Sequence, residues 1–261
     1  MKRIASVMVM HARDWMTWLL GPWIVLGATF VICLLISLSI DVLWRGSIPV
    51  YSGAVACIAV VMLAVAIGTV LGTFPFAVGF GTRRSDYLLG TLAWSVAYCA
   101  SWAILLGLLS LIESSVIKNW GVGLHFFHLP IFSDGSPLRQ FCWPSPPYDL
   151  SCAHADPTYV SGGSSLQQLW VSFVLLLFMD LLGLLLGSIY QRFGRTGEFM
   201  FFGIVFLLLS VFVLLSSYWH WWETISGWLV QQTAAVLGLW LVPLLAIFAL
   251  ASYALLRKAT V

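Results

Sequence analysis

From Gly46 to Thr82 the chain carries no charged side chain at all. Similar runs cover Leu19 to Ile40, Tyr87 to Ile112, Phe199 to Trp222 and Thr224 to Leu256, while Pro157 to Gln191 holds a single charge, Asp180. A charge at the centre of a membrane helix costs at least ~2.5–3.5 kcal/mol on insertion scales, and a spanning helix needs about 20 apolar residues. The runs therefore predict six spans, near 19–41, 53–74, 89–112, 168–190, 199–219 and 232–256. They are continuously apolar rather than alternating, which favours helices over a barrel. Only 8% of the 261 residues are charged and mean hydropathy is +0.99, which excludes a soluble globular enzyme and a disordered chain. A net charge of +2 is too small to imply a nucleic-acid partner.

Lys and Arg set the expected orientation. With the N-terminus in the cytoplasm, Lys2, Arg3, Arg13, Arg83, Arg84, Arg192, Arg195, Arg257 and Lys258 lie inside, and only Arg45, Lys118 and Arg139 lie outside. Both termini are then cytoplasmic. The expected fold is thus all-α, a polytopic membrane protein of one domain. The first apolar run is too long for a cleaved signal peptide. Residues 3–17 place Ile4, Val7, Met8, His11 and Trp15 at helical spacing, with polar residues between. They read as a short interfacial helix or as the polar start of the first span.

Residues 113–167 are expected to form an extracellular segment. Cys142 and Cys152 fall in it, on the oxidising side, and are expected to form a disulfide. Cys33, Cys57 and Cys99 fall in spans as small hydrophobes. His125, His128, His154 and His220 also lie outside. With the Trp-rich stretch at 219–228 they allow an alternative, a protein handling haem or metal at its outer face, against the plainer reading of loop histidines and interfacial aromatics. No nucleotide-binding Gly-x-x-x-x-Gly-Lys, no Cys-x-x-Cys and no His-Glu-x-x-His occurs. The chain is not expected to be an enzyme or to hold a cofactor or metal. Asp180 is the one carboxylate deep in a span, a candidate for lining a substrate path or for a structural hydrogen bond. Gly68/Gly72 and Gly183/Gly187 permit close helix approach, within one subunit or at a dimer seam.

The stretch from Thr73 to Gly90 carries the clearest signature. Pro75 is placed to break the second span, Gly79 and Gly81 to turn, and Arg83, Arg84 and Asp86 to form a charged cluster. A short helix parallel to the membrane fits this order, either as a positive-inside anchor or as a docking element for a cytoplasmic partner. Phe74, Pro75, Phe76, Ala77, Gly81, Arg83, Arg84, Asp86, Tyr87 and Gly90, with Arg13-Asp14-Trp15 and Gly21-Pro22-Trp23, resemble the exporter-type (type-2) ABC transporter permeases of bacteria. The long outer segment between spans three and four departs from that family's usual placement between the last two spans. The resemblance implies a permease subunit in the bacterial cell membrane, paired with a second permease subunit, as a homodimer or with a related chain. Separate ATPase subunits would bind Mg-ATP and drive export. It implies coupling contacts through the N-terminal helix and a cytoplasmic loop at 75–88. Arg83, Arg84 and Asp86 would dock the ATPase, Phe76 and Tyr87 would pack the contact, and Arg192 and Arg195 in the next inner loop are further candidates. A path lined by Leu, Phe and Val suits lipids, amphipathic drugs and hydrophobic peptides alike.

Overall fold

The computed structural model describes residues 2–14, 16–44, 50–51, 54–117, 120, 124–127, 165–232 and 234–257. Seven α-helices follow in chain order: α1 (Lys2–Arg13), α2 (Gly21–Trp44), α3 (Ala54–Gly79), α4 (Arg84–Ile112), α5 (Ser165–Tyr218), α6 (Trp221–Gln231) and α7 (Ala234–Arg257). One π-helical turn, Met16–Leu20, leads into α2, and another, Glu113–Ile117, extends α4. Among the described residues the one departure from an all-helical fold is a parallel pairing of two-residue strands, β1 (Val50–Tyr51) with β2 (Leu124–His125).

Among the described residues, five helical stretches are long and apolar enough to cross a membrane, and one of them, Leu166–Tyr218, is 53 residues long. This is the pattern of a multi-pass membrane protein. The long helix replaces the expected inner loop between spans four and five. Its two halves, 165–193 and 195–218, meet at Gly194, whose φ of 66° and ψ of −162° are open to glycine alone. Arg192, Arg195 and Glu198 thus surround a one-residue break and not a loop.

Pro75 does not end the second span either, since α3 runs through it to Gly79. A proline inside a helix leaves the carbonyl four residues earlier without its N–H partner. That carbonyl is Leu71 O, and Gln191 Nε2 from α5 donates to it at 3.3 Å and to Val70 O at 3.5 Å. The end of α3 is a Schellman turn. Thr82 N donates to Ala77 O (3.1 Å) and Gly81 N to Val78 O (2.9 Å), with Gly81 at φ 77°. The expected 75–88 loop therefore shrinks to the four residues 80–83, and no separate helix lies there.

The first half of α5 runs parallel to α3. A Cβ at Gly183 would lie 2.8 Å from Ala66 Cβ, and one at Gly187 2.9 Å from Val70 Cβ. This pair of glycines serves packing within the chain. Around Gly68 and Gly72 nothing lies within contact distance, and both face outward. At one end of the bundle Trp170 Nε1 donates to Ala235 O, joining the starts of α5 and α7. At the other, Arg84 Nη1 donates to Arg257 O, joining the start of α4 to the end of α7. Consequently Arg83, Arg84 and Arg257 gather at that end.

At the opposite end the expected polar segment starts later than 113. Glu113 is fully buried and its carboxylate accepts from Trp120 Nε1 (2.8 Å), Phe126 N (2.6 Å) and Phe127 N (2.8 Å). Gln168 Nε2 donates to Phe127 O and ties this knot to α5. The Trp-rich stretch at 219–228 lies largely in the helix α6. Cys142, Cys152, His128 and His154 lie outside the described residues, as does the proposed disulfide.

Candidate functional site

The Thr73–Gly90 signature folds into a joint that holds four elements. Tyr87 is fully buried, and its hydroxyl lies 2.7 Å from Thr73 Oγ1. Thr73 donates its own proton to Thr69 O, so Tyr87 is the donor. The Tyr87 ring meets Phe74 edge-on at 5.3 Å, which joins α4 to the end of α3. Neither Phe74 nor Tyr87 is available to an outside partner.

The N-terminal helix is seated on the same face of α4. Val7 rests on Gly90, where a Cβ would lie 2.7 Å from Val7 Cβ and 3.2 Å from Ile4 O. Only a bare backbone lets α1 come this close. One turn on, His11 Nε2 lies 3.0 Å from Thr91 Oγ1. Thr91 donates to Tyr87 O, so it accepts from His11, which puts the imidazole proton on Nε2. His11 Nδ1 is buried and has no partner among the described residues. The ring is walled by Trp18, Tyr87 and Trp94 at 6.1–6.4 Å. Burial pushes the His11 pKa down to about 4, with Asp14 acting weakly the other way. Tyr98 closes the joint by donating to Trp18 O at 2.6 Å. Helical spacing puts His11 on the apolar face of α1, but its partner Thr91 is remote in sequence.

Outside the joint stand the polar and aromatic groups expected to meet a partner. Phe76 is 59% exposed, and Phe80, which the sequence reading does not single out, is 76% exposed and lies 4.5 Å from it, a bare aromatic pair at the end of α3. Arg83 is exposed, and Arg84 and Asp86 are half-buried on the first turn of α4. Arg192 covers the Phe193 ring at 4.8 Å, and Arg195 is exposed. The structure therefore brings Phe76, Arg83, Arg84 and Asp86 together at the turn and withdraws Tyr87 into the interior.

Asp180 is fully buried in the first half of α5, facing the Ser95, Tyr98 and Cys99 side of α4. The Ser95 hydroxyl faces the carboxylate, and neither side chain has another hydrogen-bond partner among the described residues. His220 is exposed on the turn after α5, with φ 54°. Among the described residues no three His, Cys, Asp or Glu side chains gather as metal ligands would.

Comparison with family models, with curated proteins and with solved structures finds no match to this chain.

Proposed function

We propose that this chain is the permease subunit of an ATP-driven exporter, working beside a second permease subunit and driven by separate ATPase subunits that bind Mg-ATP. One observation carries the reading: α1 is clamped without slack onto α4 beside the exposed turn at 80–83. A partner pressing there would move α1, the end of α3 and the start of α4 as one piece, because Val7–Gly90, His11–Thr91 and Tyr87–Thr73 leave no room for independent motion. The push would reach α5 through the tight contacts of Gly183 and Gly187 on α3, near Asp180.

Phe76 and Phe80 offer the partner an apolar anchor, and Arg83, Arg84 and Asp86 set its charge register. Arg192 and Arg195, at the same end, extend the basic surface. Tyr87 acts from inside, holding the turn in place. A second permease subunit has a natural seat on α3, where Ala56, Val60, Ala64, Gly68 and Gly72 are exposed at four-residue spacing. Small residues in such a row allow two helix backbones to come close. The direction of transport follows from the family resemblance alone, and the cytoplasmic membrane is the setting it implies.

The test is co-purification in mild detergent from the native membrane. The wild-type chain is expected to bring down a stoichiometric ATPase, and Arg83→Glu with Arg84→Glu to lose it while eluting unchanged on gel filtration. A wild-type sample without an ATPase, or a double variant that keeps it, overturns the reading.

A further inference from the structure

Where α4 begins and α7 ends, a cleft of about 380 Å³ opens between the two helices. That is within the range of small-ligand sites, roughly 300–1,000 Å³. Among the described residues its lining is Arg83, Arg84, Ser85, Leu88, Tyr253, Leu256 and Arg257, three guanidinium groups with no carboxylate. Arg84 spends one donor on Arg257 O, the last carbonyl of α7. A guanidinium carries five donors, and this bond uses one of them. Three like charges around one cleft repel unless an anion sits between them.

The surroundings say which anion. The cleft lies at the level where apolar helices end, which is the level of lipid headgroups. Its floor is apolar, with Leu88 and Leu256 buried. Leading away from it along α7, Ile247, Leu250 and Tyr253 are spaced three apart and exposed, at 58%, 68% and 38%. Acyl chains lying in this row would bring a phosphate to Arg257. Basic pockets between membrane helices are built for such headgroups, and a guanidinium matches phosphate with two parallel hydrogen bonds. A free phosphate has no use for the apolar row, and neither has an acidic side chain of a protein.

We infer that the α4–α7 cleft binds the phosphate of an anionic phospholipid, held by Arg83, Arg84 and Arg257 with its chains along α7. This does not rest on the ATPase reading, and its test contains no ATPase. The full-length chain, purified in mild detergent, is titrated with phosphatidylglycerol, with phosphatidylcholine and with inorganic phosphate. Retained lipid is read by native mass spectrometry, and stability by thermal melting. The wild type is expected to retain and be stabilised by phosphatidylglycerol only. Arg84→Gln with Arg257→Gln should weaken that binding roughly 10- to 30-fold, whereas Arg13→Gln, an exposed charge outside the cleft, should not. Should the glutamine pair misfold, Arg84→Lys with Arg257→Lys decides, because it must keep the preference for phosphatidylglycerol. Equal retention by the glutamine pair, equal binding of phosphatidylcholine, or the same stabilisation by inorganic phosphate overturns the inference. So does a glutamine pair that binds lipid normally but loses a co-purifying acidic protein, which would make the cleft a protein contact.

Discussion

Val7 and Gly90 touch so closely that a single methyl group on Gly90 would overlap the Val7 side chain, Cβ to Cβ at 2.7 Å. The clash would be with atoms fixed to the backbone of α1, so rotamer changes cannot relieve it. Gly90→Ala is expected to weaken the seating of α1 by ~1–3 kcal/mol, the usual cost of overpacking. Limited trypsin digestion should then cut faster after Arg13, which is exposed at the end of α1. Unchanged cleavage would show that α1 tolerates the shift.

The seating should also depend on pH through His11. Its pKa is about 4 when docked and 6.5 when free in water, so the undocked state binds more protons between these values. Stability of the docked state is therefore complete above pH 6.5, falls as pH drops toward 4, and is lowest below it. Tryptophan emission from the Trp18 and Trp94 walls should report the change. His11→Phe keeps a ring in place and should flatten the profile across this window. A profile unaltered by the substitution would assign the titration elsewhere.

Glu113 holds three N–H donors with two oxygens. Glu113→Gln turns one oxygen into a donor and should cost about one hydrogen bond, ~1–2 kcal/mol, while Glu113→Ala strands all three donors and should cost several times more. Thermal melting in detergent measures both. Equal, small losses would mean that water replaces the carboxylate.

Gly194 stands in open space but at a backbone angle closed to other residues. Gly194→Ala should cost ~1–3 kcal/mol from the backbone alone. Gly203→Ala, in the same helix with equally open surroundings, should be neutral or gain up to ~1 kcal/mol. Similar melting of the two variants would remove Gly194 as the pivot of α5.

For Asp180 stability and transport should move in opposite directions. A buried carboxyl that faces only the Ser95 hydroxyl among the described residues is a structural burden, so Asp180→Leu should raise the melting temperature or leave it unchanged. Reconstituted transport should fall if the carboxyl takes part in it. A destabilised Asp180→Leu chain would show that the carboxyl is held by partners after all.

Most of the helices could be read directly, because a run without charge has few alternatives in a chain this apolar. The basic end was legible for the same reason. What escaped depends on partners remote in sequence. Pro75 reads as a breaker until Gln191 is seen serving the carbonyl it orphans. Glu113 reads as the start of a polar loop because its ligands are backbone groups, which have no side-chain signature. Arg192, Arg195 and Glu198 suggest a loop by their charge, and a single glycine does the loop's work. In the signature stretch, Tyr87 faces inward where an outward aromatic was expected, and Phe76 occupies the exposed side.

The segment 195–218 presents apolar side chains around its circumference, with Ser216 its one buried residue. Gly197, Glu198, Phe201 and Val205 are half-buried at three- and four-residue spacing, a narrow inner stripe, and most of the rest of the surface is exposed. On that exposed surface leucine, phenylalanine and valine should be interchangeable along 199–215, while a single charge should be unwelcome. Whatever meets it, lipid or a neighbouring subunit, is selected by length and greasiness and not by a pattern of side chains.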